Sequence, residues 1–214
     1  MSNGAATRVR RSREKILGAA ESVFLQHGFL GTNMDVIADT AGVSKQTVYA
    51  HFKSKEALFI DVVEAMTGGA AEEIGEDIED VFGDRKAEDY LLEVAIDQLT
   101  VVLTPRLMQL RRMVIGEVER FPELGRSLYV NGPIRSITRL TRACAHYTRI
   151  GELITPDPQA AATQFNWIVM GAPTNAAMLL GDAGIPTSAQ LQAHATEAVR
   201  IFLCAYGAKQ MHPR

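Results

Sequence analysis

The chain has 214 residues, 47% of them apolar and 22% charged, and a formal net charge of −3. That length supports one large or two small domains with a real core, and the balance excludes a disordered or collagen-like chain. The most apolar long window, 165–181, is interrupted by Asn166, Pro173, Thr174 and Asn175, so no membrane span of ~20 clean apolar residues is expected. The basic N-terminus leads into an amphipathic stretch, not a uniformly apolar one, so no secretory leader is expected. Cys144 and Cys204 lie too far apart for a metal pattern and are too few for a disulfide framework, which suits a reducing cytoplasm.

Charge is uneven. Residues 1–55 carry eight basic and four acidic side chains, whereas 56–214 carry 14 and 21. A small basic module therefore precedes a larger acidic one, and the local field decides what each surface attracts.

The periodicity is helical throughout. Ile16, Ala20, Val23, Phe24 and His27 share one stripe over 12–27, which Gly28 ends. Thr32 and Asp35 suggest a capping box for a short second helix through Met34, Ile37, Ala38 and Ala41. Gly42 suits a left-handed turn just past it. Ser44 caps a third helix, 45–51, with Val43 stapled to Val48, and Ser54 caps a fourth. Further helices are expected near 55–80, 85–103, 105–119, 124–150, 158–180 and 188–208. Pro133 and Pro173 should kink or divide the segments that hold them. No run reads as a strand. The expected fold is all-α, with a helix-turn-helix domain over 1–54 and a larger helical domain over 55–214.

The segment 32–52, TNMDVIADTAGVSKQTVYAHF, carries the sharpest signal. Two short helices meet at Ala-Gly-Val-Ser; Ala38 allows a close crossing, and Val43, Val48, Ile37 and Phe24 anchor the corner. The third helix is then free to present Lys45, Gln46, Thr47, Tyr49 and His51, which include donors and no carboxylate. Such a helix can read base edges in a major groove. An ordinary helical corner is the plain alternative.

Residues 13–63, from Arg13-Glu14-Lys15 through Ala41-Gly42-Val43-Ser44 to His51-Phe52-Lys53-Ser54-Lys55-Glu56-Ala57-Leu58, resemble the DNA-binding domain of the TetR family of bacterial transcriptional regulators. The stretch 111–133, RRMVIGEVERFPELGRSLYVNGP, resembles the AefR-like repressors within it. The resemblance implies a homodimer joined by its last two long helices, often with an effector pocket, and repression as the usual behaviour. It places Lys45 and Gln46 near base edges and Thr47, Tyr49 and His51 at the backbone or groove wall. Ser44 belongs to the same contact surface. Thr32 and Lys55 fall at helix N-termini, where a phosphate can be held. Gln46 stands where a small residue is usual. Arg8, Arg10, Arg11 and Arg13 read as a basic arm ahead of the first helix, for the minor groove or for phosphates.

The expected partners are double-stranded DNA, a second copy of the chain and a small-molecule effector, with no cofactor and no metal. Two reading helices in successive major grooves need centres about 34–36 Å apart. Ala161, Ala162, Phe165, Ile168, Val169, Ala172 and Ala176, with Leu191, Ala195, Ala198, Val199, Phe202 and Ala205, form the stripes expected at the dimer face. Met108, Met113, Tyr129, Phe165 and Trp167 are the candidate effector contacts, although plain core is the alternative for each. An acidic run, Glu72, Glu73, Glu76, Asp77, Glu79 and Asp80, reads as a solvated face. Arg135, Arg139, Arg142, His146 and Arg149 share a helical face, read as wet surface or as an anion or docking site. The competing functions are a constitutive DNA-binding protein or activator and a helical enzyme. No HExxH pattern, phosphate loop or nucleophile elbow supports the enzyme.

Overall fold

The computed structural model describes residues 3–73, 82 and 84–208. Among them are ten α-helices: α1 (Asn3–Gly31), α2 (Met34–Ala41), α3 (Lys45–His51), α4 (Lys55–Glu73), α5 (Ala87–Val102), α6 (Pro105–Glu117), α7 (Pro122–Tyr129), α8 (Arg135–Arg149), α9 (Pro158–Leu180) and α10 (Ser188–Tyr206). The chain packs as two compact units, Met1–Thr67 with Gln109–Leu128, and Gly68–Met108 with Tyr129–Arg214. This grouping by contact differs from a cut at 54/55 drawn on motif and charge, because α6 and α7 contribute to the first unit. Most of the acidic run, from Glu76 to Asp80, lies outside the described residues, as do the side chains of Glu72 and Glu73.

The first unit is built around α1, which buries Ile16, Ala20, Val23 and Phe24 on one face. The helix begins at Asn3, so Arg8, Arg10, Arg11 and Arg13 lie on its first turns and are not an arm ahead of it. Gly28 interrupts it with φ 72° and ψ 171°, a conformation that side-chain-bearing residues avoid. The interruption removes helical partners from the carbonyls before it. Side chains from three separate segments supply donors to this carbonyl end and to the connection after it. The Thr32 hydroxyl donates to the Gly28 carbonyl at 2.7 Å, Gln109 Nε2 to the Leu25 carbonyl at 2.6 Å, and Lys55 Nζ to the Phe29 and Thr32 carbonyls at 2.8 and 3.0 Å. Lys55 Nζ also stands 4.6 Å from the centre of the Phe29 ring. Phe29 packs edge-on against Phe121 and tilted against Phe59, which meets Phe24 edge-on. These rings hold the broken end of α1 from the apolar side while the donors hold its carbonyls.

The second unit packs α5, α8, α9 and α10 around Tyr90, Leu140, Tyr147, Phe165 and Phe202. Pro133 divides the expected 124–150 helix as anticipated: a π-helical turn, Val130–Ile134, separates α7 from α8. Pro173 behaves differently, because α9 continues through it. Proline lacks the N–H that would bond the Val169 carbonyl one turn back. His194 Nε2 of α10 takes that carbonyl instead, at 2.7 Å, so the expected break becomes a link between two helices. Burial pushes the Cys144 thiol up to about 12, and it pushes the Tyr147 phenol up to about 12 as well. Tyr147 donates to the Arg85 carbonyl at 3.2 Å.

The arginine face of α8 is less wet than its spacing suggested. The Arg139 guanidinium stands 5.7 Å from the centre of the Tyr90 ring. It also opposes the upward shift of Asp97 that burial and Glu93 produce. His146 stacks on Phe82 at 4.4 Å and takes Arg149 at Nδ1, while Arg142 and Arg149 stay exposed. The stripes expected at the dimer face are likewise largely internal. Ala161, Ala162, Phe165, Val169, Leu191, Ala195, Ala198, Val199 and Phe202 are buried within the protomer. The large outward apolar residues of α9 and α10 include Trp167, Leu179, Leu180 and Ile201, and Ala172 and Ala205 of the expected stripes are exposed as well.

His194→Leu should lower the unfolding free energy by about 1–3 kcal/mol, the cost of leaving a buried carbonyl unpaired. Combined with Pro173→Ala, which restores the helical N–H, the same change should cost less than half as much. Urea unfolding at fixed protein concentration checks both, and equal costs in the two backgrounds would contradict the link.

Candidate nucleic-acid interface

The corner between α2 and α3 is set by backbone chemistry. Asn33 caps α2, its side chain accepting from Val36 N at 2.9 Å. The Thr32–Asp35 box expected from the sequence does not form, because the Thr32 hydroxyl is buried and donates back to α1. Gly42 adopts the left-handed conformation at φ 65°, and Val43 N reaches the Ala38 carbonyl at 3.1 Å. Ser44 caps α3 by accepting from Thr47 N at 3.1 Å, and its hydroxyl lies 2.8 Å from that of Thr47. Ile37, Ala38 and Val48 are buried beneath the corner, as the apolar spacing required.

With its inner face fixed by Val48, α3 exposes Lys45, Gln46 and Tyr49, and leaves Thr47 and His51 half-buried. The Lys45 ammonium is paired with Asp35 of α2, at 2.7 Å from Oδ1, and that hydrogen bond raises its pKa. Both partners are more than half exposed, so water and salt screen the pair strongly. The face of α3 carries no carboxylate, but α2 brings one to its first residue. Asp35 and Lys45 are ten positions apart across a turn, and no helical spacing rule pairs them.

The other expected contacts divide. Arg8, Arg10 and Arg11 are exposed on α1, with Arg10 3.6 Å from Glu14. Arg13 is bound to Asp61 at 2.6 Å and lies over the Phe52 ring, which ties α1 to α4 and to the end of α3. Thr32 is 3% exposed, with its hydroxyl turned into the unit. Lys55 starts α4 as expected, yet its ammonium serves the carbonyl end of α1. Thr32 and Lys55 thus organise the corner through bonds inside the unit.

Of the candidate effector residues, Met108 and Phe165 share one core cluster. Met113 lies in the first unit, and Met108 and Phe165 are fully buried in the core of the second. Tyr129 and Trp167 are about half exposed, at 51% and 46%. The second unit instead contains a buried polar pair that apolar periodicity could not flag. Gln98 Nε2 donates to Asn166 Oδ1 at 2.8 Å, while Gln98 Oε1 and the Thr174 hydroxyl are buried without a partner. Among the described residues no group of three His, Cys, Asp or Glu could hold a metal ion, and no helix is long and apolar enough to cross a membrane.

Ser44→Ala should destabilise the protein by about 1 kcal/mol through loss of the α3 cap. Lys55→Met should cost about 1–3 kcal/mol, since two carbonyls lose a charged donor. Urea unfolding measures both, and no loss in Lys55→Met would refute its organising role.

Residues 16–62 match the model for bacterial regulatory proteins of the tetR family, and 89–208 match that for the AefR-like transcriptional repressor C-terminal domain. The regulator RutR of Escherichia coli K12 is 47% identical over 55 residues, a match spanning 26% of either chain. A candidate TetR-family regulator from Mesorhizobium loti MAFF303099 is 34% identical, covers 94% of this chain and 98% of its own, and superposes with a TM-score of 0.86. The flavonoid-responsive regulator FrrA is 30% identical over 93% of this chain and 98% of its own, with a TM-score of 0.77. The chain belongs to the TetR family of transcriptional regulators.

Proposed function

We propose that this protein is a homodimeric, sequence-selective DNA-binding repressor that a small-molecule effector releases from a two-fold symmetric operator. The observation that carries the reading is α3: seven residues, capped at Ser44, anchored by Val48 and presenting Lys45, Gln46 and Tyr49 outward. A helix so fixed and so exposed can enter a major groove. Gln46 can pair with the edge of an adenine, and Lys45 with that of a guanine or a phosphate. Arg8, Arg10 and Arg11 add positive charge along α1, while Thr47, Tyr49 and His51 serve the groove wall.

One seven-residue helix gives a small contact, so a second copy is part of the proposal. Trp167, Leu179, Leu180 and Ile201 are large apolar side chains exposed on α9 and α10, and they are the residues we assign to the dimer. The effector reading rests on likeness to FrrA, a flavonoid-responsive regulator, and on the buried, unpartnered Gln98 Oε1 and Thr174 hydroxyl. An effector acts only through its difference in affinity between the DNA-competent arrangement and the other.

The test is selection from a randomised duplex library with purified protein, followed by affinity for the winner across salt concentrations. A near-palindromic winner, a clear advantage over scrambled DNA and a steep loss with salt support the reading. No enrichment would overturn it. Gln46→Ala should change the preference among sites, and equal losses on selected and scrambled DNA would remove Gln46 from base reading. Asp35→Asn should tighten binding to every duplex several-fold at low salt, because it frees Lys45 and removes a carboxylate facing phosphates. Unchanged or weaker binding would place Lys45 away from DNA.

A further inference from the structure

The first unit contains an open cleft of about 380 Å³ between the end of α1 and α6. It is separate from the reading corner and from the buried polar pair of the second unit. Its volume lies in the range of small-molecule sites. Leu25, Leu30 and Met113 give it accessible apolar walls, while the Phe24 and Phe29 rings are buried and locked by their contacts with Phe59 and Phe121. The walls near Gly28 and Gly116 carry no side chain, and a Cβ at either position would meet nothing within 4 Å. A flat ring can therefore approach the backbone there. His27, Gln109 and Arg112 bring donors to the lining against one carboxylate, Glu117. A guanidinium has five N–H groups, so Arg112 can accept a planar anion beside the partner it already has.

We propose that this cleft binds a flat aromatic carboxylate, its ring between Leu30, Met113 and the glycine walls and its carboxylate on Arg112. The occupant would touch both α6 and the α1 end that Gln109 holds through the Leu25 carbonyl. This gives the DNA-binding unit a ligand site of its own, and the proposal stands whether or not the protein reads an operator.

The test uses 2-naphthoate as the probe and protein labelled with carbon-13 at the methionine ε-methyl groups. The Met113 signal is assigned with Met113→Leu. Titration to millimolar probe should move the Met113 signal saturably. Gly116→Leu fills the cleft and favours the helix, so it should abolish that shift without lowering the unfolding midpoint. The neutral analogue 2-naphthol should bind about tenfold more weakly, and Arg112→Met should erase that difference. A stationary Met113 signal, movement confined to Met108 or Met170, the same shift in Gly116→Leu, or equal binding of 2-naphthol would each overturn the proposal.

Discussion

The broken end of α1 is the constraint on which the first unit depends. Gly28 stops the helix where its carbonyls would otherwise find partners, and those groups must be satisfied or exposed. Thr32, Lys55 and Gln109 satisfy them from the α1–α2 connection, the first residue of α4, and α6. Their four bonds tie the α1–α2 connection, the start of α4 and α6 to the end of α1. α3 inherits its position from this arrangement through the buried contacts of Ile37, Ala38 and Val48. A seven-residue helix has little stability of its own, so its presentation depends on that support.

The arrangement separates two jobs that a charge count merges. Lys55, Arg13 and Thr32 look like phosphate ligands in a basic module, yet each is turned to internal work. Lys45, Gln46 and Tyr49 stay outward, and Asp35 moderates the charge of Lys45. Losing the first group costs stability, whereas losing the second changes what the surface contacts. Selectivity over mere attraction needs both: a stiff corner and a small set of movable donors.

Much of this was legible in the sequence. Helical spacing, Gly42, Ser44 and Val48 specified the corner because each acts within a turn or two of itself. Pro133 divided its helix for the same local reason. What escaped were contacts over long separations. The pairing of Lys45 with Asp35, of Gln109 with Leu25 and of His194 with the carbonyl freed at Pro173 follows from tertiary packing, which no short-range rule encodes. The apolar stripes of α9 and α10 were read toward a partner although most of each faces its own core; periodicity gives a buried face but not what buries it. Met108 and Phe165 of the candidate effector set lie in the core for a related reason, since soft apolar residues mark a core as readily as a cavity.

The claim that α3 is the surface that meets DNA is tested most directly by photo-crosslinking. A benzophenone amino acid placed at position 46 should attach to bases within both halves of a selected duplex, and the same group at position 142 on α8 should give no DNA adduct. Adducts from position 142 with none from position 46 would contradict the account and move the nucleic-acid surface to the arginine face of the second unit.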